Sequence, residues 1–328
     1  MNKNSKILIT GATGFLGANL VKFLYNDNKN ISILINKNSN LWRINDIIKQ
    51  IDVNNVNIKN KNKVYEIIKE IKPDYVYHLA TYGVHPSQNS LDEIIKTNIL
   101  GTSNILHALE KYGIKRLVNV GSGFEYGKGK NNIKETDCLN PLTPYGITKV
   151  TQSLLVKYFS ELKNIPSVTL RPFTPYGRME SKGRLISDIM ISIIKNKPLN
   201  LSSMYTYRDF IFIDDVLDAL KKAANVPKIE GEIFNIGSGK ATSIKKIVDT
   251  SMKLVKNKPE IKWNSNKPRS MDKFQSISQL NIIGDGSNLN NIKSLANNNS
   301  NIVFHGKQKR EDMAMFFKAS DFLIVSLI

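Results

Sequence analysis

The sequence predicts an α/β fold built on a doubly wound parallel sheet. Short apolar segments alternate with helical patterns over the first 170 residues, and the first segment leads through a glycine-rich turn into a helix. Strands that alternate with helices form βαβ units, whose parallel strands lie in one sheet. No internal repeat or Pro/Ser-rich linker divides the chain. We therefore expect any second domain to be interleaved with the first.

The glycine-rich turn lies between a strand predicted over residues 6–10 and a helix predicted over residues 18–25. Gly11 permits a tight turn, Gly14 lets the backbone approach a phosphate, and Gly17 lets helix and strand pack closely. The helix N-terminus directs N–H groups and the positive end of its dipole at an anion. The turn therefore predicts a dinucleotide site. Its predicted binding residues are Gly11, Thr13, Gly14, Phe15, Leu16 and Gly17.

Apolar periodicity predicts the other elements of the first half. Strands are expected at residues 31–35, 75–79, 117–121 and 168–170, and helices at 44–51, 64–71, 91–112 and 144–162. Gly113 gives the third of these helices a stop signal. From Arg171 onwards the pattern is less regular.

The composition narrows the classes of partner. The formal net charge of +19 is typical of proteins that bind nucleic acid or membranes. The lysines, however, are scattered beside asparagines, and no aromatic residues are interleaved with them as a stacking platform requires. No apolar run reaches membrane-spanning length, no signal peptide is expected, and a single cysteine, Cys138, excludes an intramolecular disulfide. We expect a cytoplasmic protein with neither a nucleic-acid partner nor a membrane span.

The end of the second predicted strand bears on the choice of cofactor. Folds that bind NAD usually place an acidic residue there to hold the ribose hydroxyls. Asn36 and Lys37 occupy this position, with Ser39 and Arg43 nearby. A lysine is suited to a 2′-phosphate, although an exposed lysine is also common in this composition. Asn36 and Lys37 are therefore candidate cofactor-binding residues, and the sequence favours NADP slightly over NAD.

Tyr145 and Lys149 form a candidate proton-transfer pair. They are four residues apart and share one face of the predicted helix. An ammonium group stabilises a phenolate, which draws a tyrosine pKa of about 10 towards neutrality. Such spacing also occurs by chance, but Ser122 follows a predicted strand at the sheet edge where ligands bind. Ser122, Tyr145 and Lys149 are therefore the predicted catalytic residues.

With these motifs, the chain resembles an extended short-chain dehydrogenase/reductase of the NAD(P)-dependent nucleotide-sugar epimerase/dehydratase family. The resemblance covers roughly residues 5–280, in order and with family-like spacing. The matching motifs are residues 10–17, His78-Leu79-Ala80, Asn98 with Gly101-Thr102, residues 122–127, Tyr145 with Lys149, residues 170–173 with Tyr176-Gly177, residues 208–211 with residues 214–216, and residues 234–239.

The resemblance implies a Rossmann-type domain over residues 1–170 and a smaller, interleaved α/β substrate domain over residues 171–280. It also implies a homodimer formed through the helices at 91–112 and 144–162. The metal-independent reaction would pass a hydride between a nicotinamide and the sugar of a nucleotide sugar, in polysaccharide or cell-envelope biosynthesis.

The resemblance also assigns roles to single residues. Tyr145 would be the acid/base at the sugar oxygen, Lys149 would hold the nicotinamide ribose, and Ser122 would hydrogen-bond the reacting oxygen. Leu79 and Ala80 would line the cofactor through their backbone. Arg208 would clamp the nucleotide diphosphate with its forked donors. For Asn98, Asp214 and Asp215, a helix cap or a hinge is at least as good an interpretation.

One departure from the family pattern narrows the chemistry. Sugar 4,6-dehydratases of the family carry an Asp-Glu pair directly after the active-site hydroxyl residue, where this chain has Gly123 and Phe124. Glu125 is one position late, and on an extended segment it would point to the other face. Dehydration is therefore disfavoured, and epimerisation is expected ahead of 4-keto reduction. A non-catalytic NAD(P) sensor and a glycosyltransferase fragment are the alternatives from other classes.

The last part of the chain departs from the family. Residues 281–328, with Gly284-Asp285-Gly286 and the apolar segments at 302–304 and 322–325, resemble a fragment of a GT-B glycosyltransferase. We interpret this part as the product of a gene fusion or truncation. The alternative is a divergent closure of the substrate domain, in which Gly284-Asp285-Gly286 is only a turn.

Overall fold

The computed structural model describes residues 2–27, 30–85, 87–127, 132–265, 280–282 and 302–304. The strands are β1 (Ile7–Thr10), β2 (Ile31–Ile35), β3 (Asp52–Asn55), β4 (Tyr75–His78), β5 (Arg116–Val120), β6 (Ser167–Pro172), β7 (Thr174–Tyr176), β8 (Leu199–Asn200), β9 (Tyr207–Phe212), β10 (Ile233–Ile236), β11 (Ala241–Ser243), β12 (Ile261–Lys262), β13 (Leu280–Ile282) and β14 (Ile302–Phe304). The helices are α1 (Phe15–Tyr25), α2 (Lys61–Ile71), α3 (Leu91–Ile95), α4 (Gly101–Tyr112), α5 (Pro144–Lys163), α6 (Leu185–Lys195), α7 (Ile213–Asn225) and α8 (Ile244–Lys253).

A seven-stranded sheet forms the centre of the molecule. Its strand order is β10-β6-β5-β4-β1-β2-β3, and every pairing within it is parallel. The chain builds outwards from β1 to β3, then returns to the other side of β1 and continues from β4 to β6. This reversal opens a crevice at the carboxyl ends of β1 and β4, the position at which such sheets bind ligands. The predicted doubly wound fold is confirmed.

The two faces of the sheet are covered by different helices, as the alternation of side chains along a strand requires. Ile7 and Ile9 lie in an apolar cluster with residues of α1 and α7. Leu8, between them, lies in a second cluster with residues of α2, α4 and α5. Each strand residue therefore contributes to one of two cores, and the continuous apolar runs in the sequence reflect burial on both faces.

One sequence prediction in this half is wrong, and one strand was not predicted. Residues 44–51 do not form a helix: they form successive turns, with the Ile47 N–H donating to the Ile44 carbonyl, and end in a 3₁₀ helix at Ile48–Gln50. Their isoleucines pack against the sheet, so the apolar spacing reports burial rather than α-helical hydrogen bonding. Strand β3 was not predicted, because its sequence, Asp-Val-Asn-Asn, is polar. This polar strand lies at an edge of the sheet.

The helix predicted over residues 91–112 consists of α3, a π-helical segment at Lys96–Leu100, and α4. It ends at Gly113, whose φ of 80° is the conformation that favours glycine. The wider π turn places the Asn98 side chain at the site described below.

Smaller sheets accompany the central one. Strands β11, β9 and β7 form a three-stranded sheet, and β12 pairs with β8 beside α6 and α8. Strand β10 and helix α7 belong to the segment 171–280 yet pack with the large sheet. The proposed substrate domain is thus threaded into the first one.

In the last 49 residues, the structure describes only β13 and β14, which pair in parallel. The rest of the segment 281–328, including Gly284-Asp285-Gly286 and residues 322–325, lies outside the described residues. The glycosyltransferase-like interpretation of this segment stays a prediction.

A buried ion pair joins the loop after β5 to β6. Residues Gly123–Tyr126 form a 3₁₀ helix and not an extended segment, and Glu125 closes it by accepting a hydrogen bond from the Ser122 N–H at 2.8 Å. The other carboxylate oxygen of Glu125 lies 2.7 Å from Arg171 Nε, with both side chains at most 1% exposed. Burial raises the pKa of Glu125, and the Arg171 charge opposes that rise.

We predict that Glu125→Gln destabilises the protein, because it leaves the Arg171 charge buried without its counter-ion. The free energy of unfolding should fall by about 3–5 kcal/mol in urea denaturation. The double variant Glu125→Gln/Arg171→Met should recover part of the loss. Asp249→Asn is the matched control, because it breaks an exposed pair with Lys245 and should cost under about 1 kcal/mol. Equal losses in both single variants would contradict the prediction.

Candidate functional site

A cavity of about 430 Å³ lies at the crevice where the strand order reverses. The glycine-rich turn lines it on one side, and residues after β4, β5 and β6 line the others. The structure thus brings together most of the sequence-predicted site. The predicted site residues that line this cavity are Gly11, Gly14, Phe15, Leu16, Gly17, Leu79, Ser122, Tyr145 and Lys149.

The glycine-rich turn is packed too closely for side chains. A Cβ on Gly17 would lie 2.1 Å from the Gly11 carbonyl oxygen, and one on Gly11 would lie 2.6 Å from the Ala80 nitrogen. Gly14 caps α1 without a side-chain hydrogen bond from any described residue, so the first-turn N–H groups are available to an anion. This cradle fits the pyrophosphate of a dinucleotide, as the sequence predicts.

Helix α5 positions the predicted catalytic pair. It begins with Thr143, whose hydroxyl accepts from the Gly146 N–H, and with Pro144, which suits the first helical turn. The Lys149 ammonium donates to the Val120 carbonyl and to Gln152 Oε1, each at 2.7 Å. Burial lowers the pKa of Lys149 to about 8, although the Glu125 charge opposes the shift.

The environment of Tyr145 differs from the sequence prediction. Burial raises its pKa to about 12, and hydrogen bonds with the Ser122 and Thr81 hydroxyls only partly offset the rise. Lys149 Nζ lies 5.9 Å from the centre of the Tyr145 ring, because the ammonium is held by Val120 and Gln152 instead. The expected drop of the tyrosine pKa towards neutrality is therefore not seen.

A chain of buried hydrogen bonds connects Lys149 to Thr10, the residue that precedes the glycine-rich turn. Gln152 donates a hydrogen bond to the Thr102 hydroxyl oxygen. The Thr102 hydroxyl donates its own proton to the Asn98 carbonyl. In the hydrogen bond between Thr102 and His78 Nε2, the donor is therefore the histidine N–H. His78 Nδ1 is then the acceptor for the Thr10 hydroxyl at 2.7 Å. Burial and the Lys149 charge lower the pKa of His78 to about 3, so the ring stays neutral. This network fixes one tautomer of His78.

Asn98 ties three segments together from the π-helical turn. Its Oδ1 accepts from the Tyr82 N–H and the Thr81 hydroxyl, and its Nδ2 donates to the Tyr82 carbonyl and to Thr148 Oγ1. The side chain therefore braces the loop after β4 against α5. The structural interpretation of Asn98 is sufficient to explain its contacts.

A second, smaller cavity of about 90 Å³ adjoins the first. Arg208 on β9 lines it, as do Tyr176 and Phe210. The two cavities share four lining residues: Phe124, Phe173, Glu180 and Arg184. The predicted diphosphate-binding arginine thus lies beyond these shared residues, on the side away from the glycine-rich turn.

Four predicted cofactor residues do not line either cavity. Asn36 and Lys37 are exposed at the end of β2, and Ser39 accepts from the Asn36 N–H. The Thr13 carbonyl accepts a hydrogen bond from Arg43, which also donates to the Met179 carbonyl and to Ser181. Ala80 donates its N–H to the Thr10 hydroxyl. The guanidinium of Arg43, suggested by the sequence for a 2′-phosphate, is engaged by these protein acceptors.

Sequence reasoning missed Gln152, Glu180 and Arg184. Gln152 lies three residues after Lys149 on α5, so helical spacing was the available signal. Glu180 and Arg184 follow the Tyr176-Gly177 motif in a stretch without regular periodicity.

The described part of the chain holds no group of three or more His, Cys, Asp or Glu side chains that could bind a metal ion. Within those same residues, no helix has the length and apolar character needed to span a membrane.

Comparisons with known proteins agree with this geometry. A sequence model of the NAD dependent epimerase/dehydratase family matches residues 7–237. The "Uncharacterized UDP-glucose epimerase YtcB" of Bacillus subtilis (strain 168) is 30% identical over 261 residues, covering 74% of this chain and 80% of that protein. A "Putative UDP-glucose 4-epimerase" of Methanocaldococcus jannaschii is 31% identical over 252 residues, with coverage of 74% and 80%.

Related proteins also carry other names. The "dTDP-4-dehydro-6-deoxyglucose reductase" of Escherichia coli is 27% identical over 259 residues, covering 76% of this chain and 81% of that protein. Among solved structures, MoeE5 in complex with UDP-glucuronic acid and NAD superposes with a TM-score of 0.72 at 26% identity, covering 83% of this chain and 89% of that one. The family resemblance is confirmed, whereas the reaction differs among its members.

We predict that Lys149 makes stability depend on pH in a specific window. The pKa of Lys149 is about 8 in the folded protein, whereas an ordinary lysine, as in the unfolded chain, has a pKa of 10.5. Between pH 8 and pH 10.5 the unfolded chain therefore binds more protons than the folded protein. The free energy of unfolding should therefore rise with pH over this window, by on the order of 3 kcal/mol from this group. Urea denaturation at pH 7.5, 9 and 10.5 should show a smaller rise in Lys149→Met than in wild type, and parallel curves would contradict the shift.

Proposed function

The chain belongs to the NAD-dependent epimerase/dehydratase family, and from this premise we propose that it epimerises the sugar of a nucleotide-activated hexose. The observation that carries the proposal is the convergence of Ser122, Tyr145 and Lys149 in the cavity that the glycine-rich turn lines. A bound nicotinamide supplies the hydride acceptor and donor. A second cavity with Arg208 adjoins the first and offers room for the rest of a nucleotide sugar.

In this proposal Tyr145 is the acid/base. Its hydroxyl lies within reach of Ser122, so both groups can hydrogen-bond one sugar oxygen. Tyr145 takes the proton of the sugar hydroxyl as the carbon is oxidised and returns it after the ring has presented its other face. Lys149, buried beside this pair, holds the cofactor ribose and supplies positive charge to the developing phenolate.

The buried position of Glu125 supports epimerisation over water elimination. Gly123 and Phe124 follow Ser122, and Glu125, the next acidic residue, is 0% exposed in its ion pair with Arg171. Its carboxylate therefore has no access to a sugar ring. The alternative is a 4-keto-sugar reductase, which needs the same Ser122, Tyr145 and Lys149 set. The end of β2 carries no acidic residue, which favours NADP over NAD. A reductase consumes reduced cofactor from solution, and NADPH is one such donor, so this feature of β2 favours the reductase.

We propose that the cofactor is NADP rather than NAD. The end of β2 presents Asn36 and an exposed Lys37, and no carboxylate stands there to hold both ribose hydroxyls. MoeE5 has been solved with NAD. The preference for NADP therefore depends on the few residues after β2.

We propose that the protein is a homodimer in the cytoplasm. Helix α5 and the segment before α4 present large apolar side chains to solvent, each 43–69% exposed: Leu91, Ile95, Leu100, Ile147, Leu154, Tyr158 and Leu162. On α5 these residues recur at helical spacing along one face. A contiguous apolar face of this kind favours association with a second copy.

Tyr145→Phe should slow turnover strongly while leaving the fold and cofactor site intact. We expect the rate with UDP-glucose and NAD(P) to fall about 10²–10⁴-fold, because the acid/base is lost. Cofactor affinity, measured by calorimetry, should change little. Tyr158→Phe on the same helix is the matched control and should keep wild-type turnover.

Product analysis distinguishes the two reactions. A product of unchanged mass with altered stereochemistry in ¹H NMR indicates an epimerase. A gain of two hydrogens from a 4-keto sugar, with loss of the reduced nicotinamide absorbance, indicates a reductase. Undiminished turnover in Tyr145→Phe would refute the role of this tyrosine under either reaction.

Lys37→Glu should reverse the cofactor preference. The new carboxylate repels a 2′-phosphate and can bind free ribose hydroxyls, so the Kd for NADP should rise about 10–100-fold while that for NAD holds or falls. Lys253→Glu, an exposed lysine on α8, makes the same charge change elsewhere. Equal effects of the two substitutions on NADP would show that net charge, rather than Lys37, attracts the cofactor.

Leu154→Glu should dissociate the dimer, because it places a charge in the middle of the apolar face of α5. Light scattering after size exclusion should report twice 37.0 kDa for wild type and 37.0 kDa for the variant. Ile194→Glu on α6, where the native residue is 76% exposed, is the control and should stay dimeric. A wild-type monomer would refute the proposed dimer.

A further inference from the structure

Glu180 stands where the two cavities meet. It is one of the four residues that line both, and among the described lining residues it is the acidic one. Its side chain is only 6% exposed, which is unusual for a carboxylate without a full set of partners. The function proposed above gives this residue no role.

The loop that carries Glu180 is held firmly in place. Met179 adopts a left-handed conformation with φ of 64°, and its carbonyl accepts from Arg43 Nε at 2.9 Å. The Arg178 carbonyl accepts from Asn19 on α1, and Ser181 accepts from Arg43. Contacts on both sides of Glu180 therefore tie this loop to the half of the molecule that carries the glycine-rich turn.

The Glu180 carboxylate is only partly satisfied. Its Oε1 lies 3.6 Å from Arg184 Nε, and the Ser187 N–H also donates to the group. Its Oε2 is buried and has no hydrogen-bond partner in the described part of the chain. Burial raises the pKa of Glu180. A buried acceptor left in this state is costly, so its presence calls for an explanation, and a donor on a bound ligand is one.

The positions of the flanking residues identify the donor. Tyr145 and Ser122 line the large cavity on one side of Glu180, and Arg208 lines the small cavity on the other. With the sugar at the first pair and the diphosphate at Arg208, the sugar is the part of the ligand that lies against Glu180. Pyranose hydroxyls are neutral hydrogen-bond donors and match an unpaired carboxylate oxygen.

We propose that Glu180 selects a nucleotide-activated neutral hexose and rejects the corresponding hexuronate. The inference rests on the proposed function. A sugar hydroxyl satisfies Glu180 Oε2, whereas a uronate carboxylate places a second negative charge at a site with little solvent to screen it. Arg184 is already paired with Glu180. Its single positive charge cannot neutralise both the Glu180 carboxylate and the uronate carboxylate.

The test compares UDP-glucose with UDP-glucuronate on the cofactor-saturated protein by calorimetry. Wild type should bind UDP-glucuronate at least tenfold more weakly than UDP-glucose. Glu180→Gln keeps the shape but removes the charge, and it should reduce this ratio to about threefold or less, mainly by tightening UDP-glucuronate. Asp214→Asn is the matched control, since it removes a charge from a partner of Arg178 near the same loop and should leave the ratio unchanged.

The outcomes separate this inference from the function on which it rests. Equal wild-type affinities for the two ligands, or an unchanged ratio in Glu180→Gln, would overturn the role of Glu180 while leaving the proposed function in place. Cofactor binding without binding of either nucleotide sugar would overturn the proposed function and this inference with it. Wild-type selectivity that Glu180→Gln removes and Asp214→Asn keeps would support both.

Discussion

The burial of the Lys149 ammonium is the constraint on which the site depends. A cation at 1% exposure requires acceptors, and the protein supplies the Val120 carbonyl at the end of β5 and the Gln152 amide on α5. Gln152 also donates a hydrogen bond to Thr102, which contacts His78 on β4. The acceptors that the Lys149 ammonium requires therefore belong to a network that fixes side chains as far as His78. Three elements of the sheet-and-helix scaffold are thereby held in register around the cavity.

A second buried charge supports the proposal that the protein does not eliminate water from its substrate. Glu125 is close to Ser122 in sequence, but its carboxylate closes a 3₁₀ turn and pairs with Arg171. Arg171 in turn donates to Tyr126, which donates to Asn235 on β10. The acidic residue closest to Ser122 in sequence is thus part of the connection between the sheet and the threaded second segment.

The sequence was sufficient for features that depend on local spacing. The glycine-rich turn, the alternation of strands and helices, and the shared helix face of Tyr145 and Lys149 each follow from periodicity and backbone geometry. Features that depend on burial by residues distant in sequence could not be predicted from the sequence. Residues 44–51 have helical spacing but pack as turns, and the Tyr145 pKa is governed by desolvation rather than by its sequence neighbour. The position of Glu180 also depends on residues that are distant in sequence, because Arg43 and Asn19 hold the loop that carries it.

Arg43 joins two parts of the molecule that are distant in sequence. Its guanidinium holds the Thr13 carbonyl in the glycine-rich turn and, at the same time, Met179 and Ser181 on either side of Glu180. In the function that we propose, a cofactor on the turn and a sugar against the loop would both contact segments that Arg43 holds together. Binding of one ligand would then change the affinity of the protein for the other, and by thermodynamic reciprocity this coupling is equal in both directions.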